Sequence, residues 1–138
     1  MRDFKAYAFS LLRVRSRSEF ELRTRLKEKG ASREEIEEII GLLKLYGLLD
    51  DKEFACEFAR SKARNHWSWL KIEMTLLHDF RVKKEHVEVA RGCYDEDEVL
   101  NYYIKRFKKT KKDPEYIKRH LLQKGFDWDF INRILKSL

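Results

Sequence analysis

The side chains best equipped for chemistry in this 138-residue chain are its cations. Arg13, Arg15 and Arg17 lead into the first interhelix turn, Arg23 and Arg25 follow, and Arg60, Lys62 and Arg64 close a later helical stretch. Lys105, Arg106, Lys108, Lys109, Lys111 and Lys112 then crowd together at the end of the seventh helical segment. One or two cations at a helix end answer the negative pole of its dipole, and a basic face can also be merely solvated. Those explanations cover the triplet around Lys62 about as well as a binding role does. They cover the later block less well, because fewer cations would serve the dipole and such a block repels itself unless an anion is near. Phosphates or an acidic protein groove both meet that need. Arginine in the first third suits bidentate contact with carboxylate or phosphate, and lysine in the last third suits less directional attraction.

Other reactive residue types form no constellation. His66, His78, His86 and His120 make no HExxH pattern, and the chain has no GxSxG, P-loop or GxGxxG. His86 and Cys93 could share a helix face, a spacing that coincidence explains. The run Asp95–Glu98 opens a helix, where acidic residues serve capping and the dipole rather than a metal. Cys56 and Cys93 fit neither a disulfide framework nor a CxxC metal site. Cys56, beside Phe54, Ala55 and Phe58, reads as a small buried thiol. The expectation is a protein with no catalytic residues, no metal and no cofactor, and so not an enzyme.

Composition agrees with an anionic partner. Basic residues number 31 against 24 acidic, for a net charge of +7 and a pI near 9.4. Dense mixed charge, 40% here, also occurs for structural reasons in helical proteins from hot environments. The chain opens with no long apolar segment, and nowhere does an apolar run reach the roughly 18 residues of a membrane span. A soluble protein of the reducing cytoplasm, making no membrane contact, is expected.

Regular start and stop signals show which elements must position these cations. Ser18 with Glu21, Ser32 with Glu35, Asp50 with Glu53 and Asp95 with Glu98 have capping-box spacing. Pro114 follows Asp113 at a first helical position. Hydrophobic staples are expected from Leu49 and Phe54 around Asp50, Trp67 and Ile72 around Ser68, and Phe126 and Ile131 around Asp127. Gly30, Gly47, Gly92 and Gly125 each follow an apolar-periodic segment, as left-handed C-caps do. Gly41 falls inside such a segment and implies close helix packing or a modest local cost. Nine helices and no strand result.

The helices recur with a period of about 45 residues. At an offset of 95, Leu22 meets Ile117, Leu26 meets Leu121 and Gly30 meets Gly125. Ile36, Ile39, Ile40 and Leu43 meet Ile131, Ile134, Leu135 and Leu138, one buried face at i, i+3, i+4 and i+7 spacing. The middle copy is looser, with Phe80 in place of the glycine. The fold class is therefore all-α, with three tandem three-helix repeats at 1–48, 49–94 and 95–138 forming an elongated, curved helical array. A monomer is expected. Units of this size are near the lower limit for folding alone, so short joints must pack, and Tyr46, Leu48, Leu49 and Phe54 are the expected bridge. The first and third copies each carry eleven basic and eight acidic residues, and the middle copy nine and eight.

The run RSRSEFELRTRLKEKG (15–30) followed by YGLLDDKEFACEFARSKAR (46–64) closely resembles the RecX family, modulators of the RecA recombinase. The resemblance covers essentially the whole chain, and its combined motif is hard to produce from helix propensity alone. Relatives usually carry glycine after the fourth helix and Lys-Gly or Arg-Gly after the fifth; here the chain reads NHWSW (65–69) and HDF (78–80). Core packing is the first reading of those two tryptophans. The resemblance implies a non-enzymatic regulator that lies in the groove of RecA–DNA filaments and inhibits ATP hydrolysis and strand exchange. The residues alone leave two alternatives open: a general single- or double-stranded DNA-binding helical protein, and a protein-only adaptor.

Overall fold

Side chains that accept a backbone N–H set nearly every helix start in this protein. The structure, a computed structural model, describes residues 3–138. Among them lie α1 (Phe4–Val14), α2 (Glu19–Glu28), α3 (Arg33–Leu45), α4 (Asp51–Arg64), α5 (Trp69–His78), α6 (Lys84–Ala90), α7 (Glu96–Thr110), α8 (Pro114–Gln123) and α9 (Trp128–Lys136). A short 3-10 turn, Arg91–Cys93, follows α6, and no strand occurs among the described residues. Ser18 and Ser32 form reciprocal capping boxes with Glu21 and Glu35. Asp50 and Asp95 accept the expected N–H groups, but neither cap's own backbone N–H donates to Glu53 or Glu98, so neither box closes among the described residues.

The apolar stripes of these helices bury into three successive clusters. Leu22, Leu26, Ile36, Ile39, Ile40 and Leu43 form the first, joined by Ala8 and Leu49. Phe54, Ala59, Trp69, Ile72, Leu76 and Val87 build the second. Val99, Tyr103, Phe107, Ile117, Leu121, Phe130, Ile131 and Ile134 build the third. Burying each large side chain stabilises by about 1.5–3 kcal/mol, an upper estimate because unfolded chains are partly collapsed.

Several expectations are corrected. Cys56 is no isolated thiol: it is disulfide-bonded to Cys93, 37 residues away, with Cα atoms 5.4 Å apart. Only the packing of α4 against the turn after α6 brings the two together. Gly92 lies within the 3-10 turn and has no positive φ, whereas Gly30, Gly47 and Gly125 do. Gly41 is exposed with open space where a Cβ would stand, so it carries the local cost and no close packing. Tyr46 and Leu48 are exposed rather than bridging. Leu49 enters the first core and Phe54 the second, so their staple divides across the joint. Leu138 is also exposed, unlike Leu43, because α9 ends at Lys136.

The looser middle repeat has a geometric cause. In the first and third units, Gly30 and Gly125 take the left-handed conformation one residue after the C-cap. In the middle unit Asp79 caps α5, and Arg81, with φ 53°, makes the turn two residues after the cap instead of one. His66 (φ 63°) and Lys111 (φ 52°) likewise occupy left-handed positions without being glycine, after α4 and at the end of α7. Each such position costs a residue with a Cβ about 1–2 kcal/mol.

Candidate partner-binding surface

The structure divides the predicted cations into two groups. Those of the first unit are largely committed to internal partners. Arg15 pairs with Glu21 at 2.5 Å, and Arg17 is buried, its Nε donating to the Leu11 carbonyl at 3.4 Å. Burial pushes the Arg17 guanidinium below its ordinary pKa, with Arg15 adding repulsion. Arg23 donates to Glu37 at 2.5 Å and to Glu19 at 2.9 Å. The hydrogen bond that Arg23 donates to the Glu37 carboxylate raises the Arg23 pKa. Burial alone would raise the Glu19 carboxyl, but hydrogen bonds from Lys44 and Arg23 outweigh it and hold the group below its usual range. These pairs fasten α2 to α3. Arg13 and Arg25 are exposed and make no ion pair among the described residues.

The later cations are uncommitted. Arg60, Lys62, Arg64, Lys105, Arg106, Lys108, Lys109, Lys111 and Lys112 form no ion pair with any described carboxylate. Several lie instead on aromatic rings. Lys62 stands 4.7 Å and Lys71 3.9 Å from the centre of Trp67, and Lys112 lies 5.1 Å from that of Tyr116. Arg106 covers Phe107 at 5.6 Å. Such contacts hold the alkyl stems in place while the charge remains available.

A ring stack brings the two basic segments together. His66, just past the end of α4, lies parallel to Tyr102 of α7, with centroids 3.5 Å apart and planes within 5°. Ala63 of α4 is buried in the third core. The basic end of α4 therefore sits beside the middle of α7. Lys105 and Arg106 follow Tyr102 by three and four residues, which places them one helical turn further on the same side. Lys108 and Lys109 close the helix, and Lys111 and Lys112 continue into the loop.

The sequence reading missed His66, Lys71 and Tyr102, although the Tyr102–Arg106 spacing was a usable signal. Of the two tryptophans, Trp69 is buried in the second core and Trp67 sits half-buried at its edge beneath the two lysines. In the acidic run, Asp95 caps α7, while Glu96 and Asp97 lie 3.5 and 3.6 Å from Arg133. Among the described residues no cluster of His, Cys, Asp or Glu could hold a metal ion, and no helix is long and apolar enough to cross a membrane.

Comparison with known proteins agrees with this architecture. The family described as "RecX, first three-helix domain" matches residues 5–43. Regulatory protein RecX of Prosthecochloris aestuarii is 34% identical, over 95% of this chain and 90% of its own length. The chain belongs to the RecX family. Regulatory protein RecX of Thermotoga petrophila is 35% identical, over 96% of this chain and 82% of its own. The crystal structure of RecX from Lactobacillus salivarius superposes with a TM-score of 0.86 at 22% identity, covering 98% of this chain and 94% of that one. The RecX fold is thus shared across the whole chain, all-helical in every part described.

Proposed function

We propose that this chain is a non-enzymatic regulator that binds the RecA recombinase, and RecA–DNA filaments above all, acting as a monomer in the cytoplasm. The relatives' description as regulatory proteins supports a regulator. The single observation that carries the contact surface is the junction of the second and third units. There the unpaired cations of α4 and α7 adjoin, anchored by the His66–Tyr102 stack. Lodged in the filament groove, three linked helical units (1–48, 49–94 and 95–138) would contact neighbouring protomers at high effective concentration. The basic junction would face acidic protein surface or phosphate. Contacts spanning two protomers oppose the relative movement of subunits that ATP hydrolysis and strand exchange require, so both are inhibited.

The test is ATP hydrolysis by RecA on single-stranded DNA, titrated with this protein beside a binding titration on bare DNA. Inhibition at substoichiometric protein with much weaker bare-DNA binding is expected. No inhibition at saturation, alongside tight bare-DNA binding, would overturn the reading in favour of a general DNA-binding protein. The same unpaired cations favour that second reading, whose signature is a steep fall of affinity with salt as counterions are released.

A further inference from the structure

The disulfide between Cys56 on α4 and Cys93 in the 3-10 turn lies at the same junction as the basic surface, beside one of its cations, Arg60. Three features distinguish it from a sequestered staple. Both cysteines are only half-buried, within reach of a small thiol. Arg60 Nη2 stands 3.5 Å from Cys56 Sγ, where its charge stabilises the thiolate that leaves and attacks in thiol–disulfide exchange. The residue after Cys93 is Tyr94, whose ring packs against both the second and the third cores and whose hydroxyl donates to the Trp67 carbonyl at 2.7 Å. The α6 helix has seven residues and the turn three, so neither is stable without its neighbours. Disulfides of reducing compartments are commonly transient and redox-sensing.

We propose that Cys56–Cys93 is a redox-modification site, a reversible latch whose closed state fixes Tyr94 and with it the seat of the third helical unit on the second. Opening begins when the thiolate of a dithiol or small thiol attacks Cys93 Sγ. The protein S–S bond breaks, and Cys56 leaves as a thiolate beside Arg60. A second thiolate then attacks the mixed disulfide and releases the reductant as its own disulfide. Two electrons and two protons end on the two cysteine thiols. Closing runs in reverse, with a small-molecule or protein disulfide as oxidant. With the latch open, Tyr94 keeps its hydrogen bond but loses the covalent tether of its neighbour. The start of α7 at Asp95–Glu96 then loosens, and with it the register of the α7 cations against α4. The inference does not depend on the identity of the partner.

The test uses the full chain equilibrated in buffers of reduced and oxidised glutathione, read by thiol alkylation and by amide hydrogen exchange. Two alkylatable thiols should appear together under native conditions as the buffer becomes reducing, and disappear when it is reversed. Exchange across residues 91–98 should quicken at least tenfold on reduction, while residues 22–43 stay unchanged. The Cys56→Ser, Cys93→Ser double variant should show the fast exchange in any buffer, and Arg60→Gln should slow the opening reaction several-fold with oxidised-state exchange unaltered. A bond that resists millimolar thiol in the folded protein would overturn the proposal. So would thiols that oxidised glutathione cannot pair, or unaltered exchange across residues 91–98 on reduction.

Discussion

Where the first unit meets the second, Asp51 Oδ1 accepts the Glu19 backbone N–H at 2.8 Å and Arg81 lies 5.5 Å over Phe20. Where the second meets the third, Ala63 is buried in its neighbour's core, Tyr94 packs against both cores, and His66 stacks on Tyr102. The two joints are equally short in sequence, but their chemistry differs. The polar joint removes a carboxylate from water and recovers a hydrogen bond, terms that nearly cancel. Burial lifts the Asp51 carboxyl above its usual range, partly offset by the Glu19 N–H. The aromatic joint gains apolar burial with little polar cost. The first joint is therefore an adjustable contact and the second a stiff platform, and the uncommitted cations stand on the platform.

Four predictions would break or sharpen that contrast. Reversing Lys108, Lys109, Lys111 and Lys112 to Glu should weaken inhibition of RecA ATP hydrolysis at least tenfold with helicity unchanged by circular dichroism. Arg23→Ala in the first unit should instead cost about 1 kcal/mol of stability, its pairs with Glu19 and Glu37 being partly exposed. Inhibition that survives the fourfold reversal would remove the α7 block from the mechanism.

Cutting each joint comes next. Tyr94→Ala should destabilise the protein by about 3 kcal/mol in urea unfolding, through lost packing in two cores and an orphaned Trp67 carbonyl. Asp51→Asn should be neutral or slightly stabilising at pH 7. A carboxyl raised by folding contributes stability only while protonated and loses it as pH rises through its folded value, and the amide oxygen can still accept from Glu19. A large loss from Asp51→Asn would show that the polar joint is as stiff as the aromatic one.

Acid should separate the two ends of the chain. Burial lowers the pKa of His120, in the third unit, and its Nε2 is buried with no hydrogen-bond partner among the described residues. Its neutral form stabilises the fold above pH 6.5, and that contribution fades as pH falls from 6.5 through the lowered value. Glu19 in the first unit is also lowered, so its contribution persists down to pH 4.5 and is lost only below it. Amide protection factors, which divide out the intrinsic pH dependence of exchange, should therefore fall in α8 before α2 between pH 7 and 5, and His120→Gln should abolish the difference. Equal acid sensitivity in both helices would contradict this assignment.

The smallest effects concern the turns. Lys111→Gly should stabilise by about 1 kcal/mol, because glycine adopts the left-handed conformation without a Cβ clash. His66→Gly should gain less, since the stack on Tyr102 is lost. Equal gains from the two, measured by urea unfolding, would mean that the stack contributes nothing to the second joint.

What was legible in the sequence was local. Ser18, Ser32, Asp50, Asp113 and Asp127 mark helix starts because a cap and its N–H partner lie within three residues. The stripe from Ile36 to Leu43 marks a buried face because helical period alone puts those residues together. The family resemblance rests on such short runs. What depends on contacts between distant residues could not be read: the Cys56–Cys93 bond, the Asp51 link to Glu19, and the stacking of His66 on Tyr102. The cations show the same division. Their number and spacing were plain in the sequence, but an arginine that braces a fold and one that awaits a partner have identical local signals. Only the position of Glu19, Glu21 and Glu37 committed the first group, and only the aromatic joint set the second side by side, because charge pairing and ring stacking are decided by distances that the chain's order does not encode.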